Sequence, residues 1–89
     1  MRIEFDTEKD KANQVKHGLS LVFANELDWE NSLVWIDTRR DYGEVCMIAL
    51  APSTGILYCV AFVDRSYSRR IISLRRANRR EVKHYVNSI

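Results

Sequence analysis

Three apolar runs in the middle of the chain, each closed by a short polar turn, restrict the fold more than any other feature. Leu33–Asp37 (Leu-Val-Trp-Ile-Asp), Glu44–Ala51 and Ile56–Asp64 are five to nine residues long. Runs of that length, rich in Val, Ile and aromatics, suit strands rather than helices. The third is almost continuously apolar, which suits a central strand. Pro52-Ser53-Thr54-Gly55 separates the second from the third, so Ala51 and Ile56 are expected to open an antiparallel hairpin around a four-residue turn. A polar turn is expected over Thr38–Gly43 and another over Arg65–Ser68. A fourth strand follows at Arg69–Arg76, and alternation over Arg2–Phe5 suggests a short first strand.

Helices are expected on either side of these strands. Asp6 or Thr7 can cap Glu8–His17, whose thin apolar stripe is Ala12 and Val15, and Gly18 is placed to end it in the left-handed conformation. Ser20 then caps a short helix from Leu21 to about Leu27, with Phe23, Ala24 and Leu27 on one side. Asn78, with Glu81 three residues on, forms a capping box for the last helix. Its Val82, Tyr85, Val86 and Ile89 are spaced as one stripe to lie against the sheet, and Glu81 and Tyr85 share a side with Ala77. The expected fold is α+β: an antiparallel sheet of four or five strands, two N-terminal helices and a C-terminal helix. The helices pack on one face and leave the other partly open. At 89 residues the chain has room for one core, so residues 1–89 are read as a single domain. No apolar run approaches the ~20 residues that span a bilayer. The first residues are polar and acidic rather than secretory. Cys46 and Cys59 sit in apolar runs with no disulfide framework, which fits a reducing, cytoplasmic setting.

Charge is divided along the chain. Residues 1–44 hold 10 carboxylates and 6 lysines or arginines, whereas residues 45–89 hold 2 and 8. The later cations are Arg65, Arg69, Arg70, Arg75, Arg76, Arg79, Arg80 and Lys83. Arginine presents a planar fork of donors that fits phosphate, so the cluster points to a polyanion. On a straight strand, Arg70, Ile72, Leu74 and Arg76 would share one face and pack on helices. Arg69, Ile71, Ser73 and Arg75 would share the other and line an open surface. Residues two apart are roughly 6–7 Å apart, near the spacing of successive phosphates. Glu81, the only carboxylate after Asp64, is either a helix cap or an acid or base held among arginines. Tyr85 reads as a core-edge aromatic, Trp29 and Trp35 as core or partner surface, and Asp37, Arg39, Arg40 and Asp41 as a solvated turn. Lys16 and His17 lie at a helix end, where positive charge complements the helix dipole. No His/Cys/Asp/Glu spacing suggests a metal, no cofactor motif is evident, and no phosphate-cradling glycine loop or nucleophile elbow occurs.

Several of these pieces form one ordered pattern: Lys9, Asn13 and Lys16-His17-Gly18-Leu19-Ser20, then Asp37-Thr38-Arg39-Arg40-Asp41-Tyr42-Gly43-Glu44, then Arg65. The segment from Arg70 to Glu81 (Arg-Ile-Ile-Ser-Leu-Arg-Arg-Ala-Asn-Arg-Arg-Glu) follows, and Tyr85 completes it. From about Phe5 to Tyr85 this resembles the BrnT family of bacterial type II toxins. The resemblance implies a RelE-like fold and a ribonuclease that cleaves RNA and halts translation. It also implies a small partner, a BrnA-like antitoxin with a ribbon-helix-helix DNA-binding domain. Two toxins and two antitoxins would form a heterotetramer that binds and represses its own operator DNA through the antitoxin. Two positions depart from the family pattern: Cys46 stands where a basic residue usually follows Tyr-Gly-Glu, and Ala51 where a glycine usually ends that strand. A chain lacking that cation is alternatively a non-catalytic partner, active only in antitoxin binding and operon autoregulation.

For metal-independent RNA cleavage the expected assignment places Arg65, Arg70 and Arg75 on the phosphate and Glu81 as proton acceptor, with Lys16 and His17 contributing. Arg69, Arg76, Arg79, Arg80 and Tyr85 are expected along the RNA. Strand alternation sets Arg70 and Arg75 on opposite faces. A bulge would reunite them; without one, Arg69 takes the place of Arg70.

Overall fold

The computed structural model of the chain describes residues 1–39 and 43–89. In chain order the elements are β1 (Ile3–Glu4), α1 (Thr7–His17), 3-10 helices at Leu21–Glu26 and Trp29–Asn31, β2 (Leu33–Ile36), β3 (Met47–Ser53), β4 (Ile56–Asp64), β5 (Arg69–Arg76) and α2 (Arg79–Ser88). The α+β class is as expected. The strands form one sheet in the order β1-β5-β4-β3-β2. Its three inner pairings are antiparallel, but β1 runs parallel to β5, with Ile3 opposite Arg69. The sheet is therefore mixed, not wholly antiparallel. No hairpin joins β1 to β5, so chain connection does not impose an antiparallel pairing on them.

The β3–β4 turn is tighter than expected. Ser53 pairs with Ile56, and the two turn residues Thr54 (φ 44°) and Gly55 (φ 82°) both have positive φ, the geometry that matches strand twist in a two-residue hairpin. Pro52 continues β3, and its carbonyl accepts from the Asp28 amide at 2.8 Å.

Hydrogen bonds rather than apolar contacts attach α1. Ala12 is exposed and Val15 is 90% exposed, contrary to the expected stripe; Asn13 is the helix's buried residue. The Asn13 Nδ2 donates to the Leu19 and Leu74 carbonyls, each at 2.8 Å, and its Oδ1 accepts from the Leu74 amide at 3.0 Å. Because β1 pairs only with Arg69 and Arg70, the Asn13 amide takes the place of a neighbouring strand at Leu74. Asp6 caps the helix by accepting from the Lys9 amide, and Gly18 (φ 70°) ends it. Asp10 accepts from the Leu21 amide (2.7 Å) and the Ser20 hydroxyl (2.9 Å), fastening the next turn to α1. The Leu21 amide is the main reason its carboxyl titrates below the ordinary value.

The second helix is 3-10 rather than α. Leu21, Ala24 and Leu27 recur every three residues, and all three are buried. That period matches the three residues per turn of a 3-10 helix. They cover Ala49, Ala51, Tyr58, Val60, Phe62, Ile71 and Leu74, the main core on one side of the sheet. Helices cover both faces, not one: Ala77 and Tyr85 pack against a smaller cluster of Ile48, Leu50 and Cys59 on the opposite side. Only Tyr85 of the expected α2 stripe reaches the sheet; Val82, Val86 and Ile89 are exposed. The inward line of α2 runs through Glu81 and Tyr85, and at 100° per residue the valines fall to its flank. Among the described residues, no helix is long and apolar enough to cross a membrane.

Candidate active site

A bulge in β5 decides which arginines share a surface. Ile71 pairs with Phe62 and Ser73 with Ala61, leaving Ile72 as the extra residue. Parity changes there, so Ile71 and Leu74, three apart, both enter the main core. The two straight-strand face sets are corrected accordingly. Arg70 and Arg75 come to the same side, and Arg69 turns to the core side. The Arg69 guanidinium lies 4.2 Å from the Phe62 ring centroid and 4.7 Å from that of Trp29. It also holds Asp64 through two bonds of 2.6 and 3.0 Å.

On the Arg75 side the sheet is left open between α1 and α2, forming a cleft of about 950 Å³. Ile48, Cys59, Ala61 and Ile72 line it from the sheet. Lys9, Lys16 and His17 enter from α1, Ser73 and Arg75 from β5, Glu81 from α2, and Trp35 to Arg39 from β2 and the segment after it. The fully charged groups are four cations and two carboxylates, Asp37 and Glu81, so the lining has a cationic excess.

Arg75 and Glu81 form a two-pronged pair, Nη1 to Oε1 at 2.8 Å and Nη2 to Oε2 at 2.9 Å. Glu81 Oε1 also accepts from the Asn78 amide (2.8 Å), while Asn78 Oδ1 accepts from the Glu81 amide (2.8 Å). The expected capping box is therefore formed, and it aims α2 so that its carboxylate grips the strand before it. The Arg75 bond, helped by the Asn78 amide, holds the Glu81 carboxyl below its ordinary range against the opposing effect of burial. The same bond raises Arg75. Partial burial first, then the charges of Lys16 and Arg75, lower the His17 imidazole below 6.5, so it is neutral at pH 7. Burial raises both thiols, Cys59 to about 11, so each stays protonated at neutral pH.

Asp37 is buried rather than part of a solvated turn. It accepts from the Arg39 backbone amide (3.1 Å), Nε (2.9 Å) and Nη2 (3.0 Å), which fixes Arg39 at the cleft rim. Arg40 and Asp41 of that expected turn, and Tyr42 of the family pattern, lie outside the described residues.

Of the residues singled out from sequence, the cleft gathers Arg75, Glu81, Lys16 and His17. Arg65 and Arg70 form a separate group: Arg65 lies 3.7 Å from Glu4 and 3.3 Å from Glu44, and Arg70 3.9 Å from Glu4. Arg76, Arg79 and Arg80 are exposed on β5 and α2 beyond the cleft. The Tyr85 hydroxyl donates to the Asn31 carbonyl at 2.6 Å. Sequence reasoning left Lys9, Arg39 and Trp35 out of the site assignment, reading Arg39 as part of a solvated turn and Trp35 as core or partner surface, and placed Ser73 only on an open strand face; all four line the cleft. A signal existed for Lys9: Lys9, Asn13 and Lys16 follow the i, i+4, i+7 spacing of one helix face, and Asn13 faces β5. Among the described residues, no three His, Cys, Asp or Glu side chains are grouped to hold a metal.

Among curated proteins none matches the chain significantly. A family model described as the ribonuclease toxin BrnT of type II toxin–antitoxin systems matches residues 5–81 of the 89, and with that match spanning α1, strands β2 to β5 and the Arg75–Glu81 pair, the chain belongs to the BrnT family.

Proposed function

We propose that the chain is an endoribonuclease toxin that cleaves RNA in this cleft by internal transphosphorylation. The observation that carries the reading is a histidine, His17, set among four cations in one open cleft. The substrate supplies the nucleophile, its ribose 2′-hydroxyl. His17 takes the 2′-hydroxyl proton as that oxygen attacks the neighbouring phosphorus. Arg75 and Arg39 stabilise the charge gathering on the phosphoryl oxygens, and the Lys16 ammonium gives a proton to the departing 5′-oxygen. The products are a 2′,3′-cyclic phosphate and a 5′-hydroxyl. Glu81 has both oxygens engaged by Arg75 and the Asn78 amide. Its role is to position Arg75 rather than to accept the proton. Arg70, on the same face of β5, extends the phosphate track beyond the cleft, with Arg65 beside it. Arg76, Arg79 and Arg80 add long-range attraction for RNA.

The biological consequence is inhibition of translation in the cytoplasm, relieved by a BrnA-like ribbon-helix-helix antitoxin. Two copies of each protein would assemble and bind operator DNA through the antitoxin. The exposed Val82 and Val86 on α2 support a partner on that flank.

The test is purified protein with single-stranded RNA. Cleavage is expected to persist with excess EDTA and to leave cyclic phosphate ends. His17→Ala is expected to lower kcat/KM by about 10²–10⁴-fold, the usual contribution of a general base. Cys46 favours a second reading: it lines the cleft where the family pattern has a basic residue, so an attenuated, non-catalytic partner is the alternative. RNA left intact by the wild-type protein, with operator binding by the antitoxin complex preserved, would select that alternative.

A further inference from the structure

We infer that Trp35 is a stacking platform for an unpaired nucleobase next to the phosphate held by Arg75, which restricts the substrate to single-stranded RNA. This rests on the ribonuclease reading of the cleft and adds a base-binding subsite to it. Trp35 lies on β2 opposite Ile48, and both line the cleft. It is a large aromatic left 38% exposed. The ring is braced rather than loose: His84 of α2 meets it edge-on at a centroid distance of 5.9 Å. The adjacent Tyr85 ties α2 to the segment just before β2 as well, because its hydroxyl donates to the Asn31 carbonyl. Lys9, Lys16 and Arg75 line the same cleft. An aromatic face beside a cationic track is the arrangement that binds single strands: cations follow the phosphates while bases stack on the ring. A paired base cannot present its face, so duplex RNA is excluded.

The chain has two tryptophans, which gives a direct readout. Trp29 lies on the other side of the sheet, beneath Arg69 and against Phe62. The probes are a 12-nucleotide single-stranded RNA, its duplex, and a 2′-O-methyl version that binds without being cleaved. Trp35→Ala is expected to raise KM for the single strand roughly tenfold to a hundredfold, the range set by one lost base–aromatic stack, with kcat changed less than twofold. Trp35→Phe, which keeps a ring, is expected to recover most of that loss and guards against misfolding in the alanine variant. The 2′-O-methyl strand is expected to quench wild-type fluorescence, and the quench is expected to vanish in Trp35→Phe although binding persists by anisotropy. Unchanged KM in Trp35→Ala, equal cleavage of duplex RNA, or a quench that survives in Trp35→Phe would overturn the proposal. If wild-type protein cleaves nothing, yet the 2′-O-methyl strand quenches Trp35 and binding is lost in Trp35→Ala, the stacking site stands and the ribonuclease reading fails.

Discussion

Asn13 takes the place that a hydrophobic residue holds in most sheet-packed helices, and the reason is the unfinished edge of β5. Its amide satisfies three backbone groups, at Leu19 and at both polar atoms of Leu74. Asn13→Ala leaves those groups without partners. Each buried polar group left unsatisfied costs about 1–3 kcal/mol, and partial access to water lessens the total. The expected loss is therefore about 2–4 kcal/mol in urea unfolding. Asn13→Asp is expected to be at least as harmful at pH 7, because a carboxylate cannot donate to the Leu19 and Leu74 carbonyls. His17 gives a second prediction at this scale. Its titration is lowered below 6.5, chiefly by burial, and the neutral form is the one that accepts a proton. Cleavage is expected to hold from pH 8 down past 6.5 and to fall only at more acid values. The residual rate of His17→Ala is expected to lack that limb in a kcat/KM–pH profile.

Among the elements, β5 does two jobs because of its bulge. Arg75 faces the cleft, while Arg69 lies over the Trp29 and Phe62 rings on the other side. Arg69→Ala removes the cation–π contacts and the long stem that fills that space. It is expected to lower stability by about 1–3 kcal/mol while leaving kcat/KM unchanged at 20 °C, whereas Arg75→Ala is expected to lose activity. Cleavage assays and thermal melts on the same two variants separate these roles. The β3–β4 turn offers a gain: Thr54, a β-branched residue, sits at φ 44°. Thr54→Asn keeps the turn with a residue that tolerates positive φ and is expected to raise stability by about 0.5–1 kcal/mol in thermal or urea unfolding. These elements also mark how much was legible. Helix caps are written in short-range chemistry, so the roles of Gly18, Ser20 and the Asn78–Glu81 box could be read directly. The bulge could not, because pairing with β4 sets it and alternation along β5 alone gives the wrong faces. The Arg75–Glu81 grip was half legible: both residues stood out, but their partnership depends on α2 folding back beside its own strand. The valine flank of α2 was misread because spacing alone does not say which side of an amphipathic helix meets the sheet.

For the whole molecule, the sheet separates a dry face, packed by the 3-10 helices, from a face where α1 and α2 stand apart and leave the cleft between them. The groups that tie this frame together titrate with one sign. Asp10, which fastens the first 3-10 helix to α1, and Glu81, which joins α2 to β5, have carboxyls held below their ordinary values of 3.8 and 4.5. A depressed carboxyl contributes stability that is fully present above its unfolded pKa and is lost as pH falls through the folded one. His17, lowered from 6.5, acts in the same direction, since the unfolded chain takes up its proton first. The melting temperature is therefore expected to be level above about pH 6.5, to decline gently between 6.5 and 4.5, and to fall more steeply below 4.5. His17→Ala removes the upper decline. Glu81→Gln lowers the plateau, because Arg75 loses its charged partner, and flattens the fall below 4.5. Calorimetry across pH 3–8 on the three proteins measures both effects. A melting temperature that rises on acidification, or a Glu81→Gln curve parallel to wild type, would show that the Arg75–Glu81 pair does not join α2 to the sheet in solution.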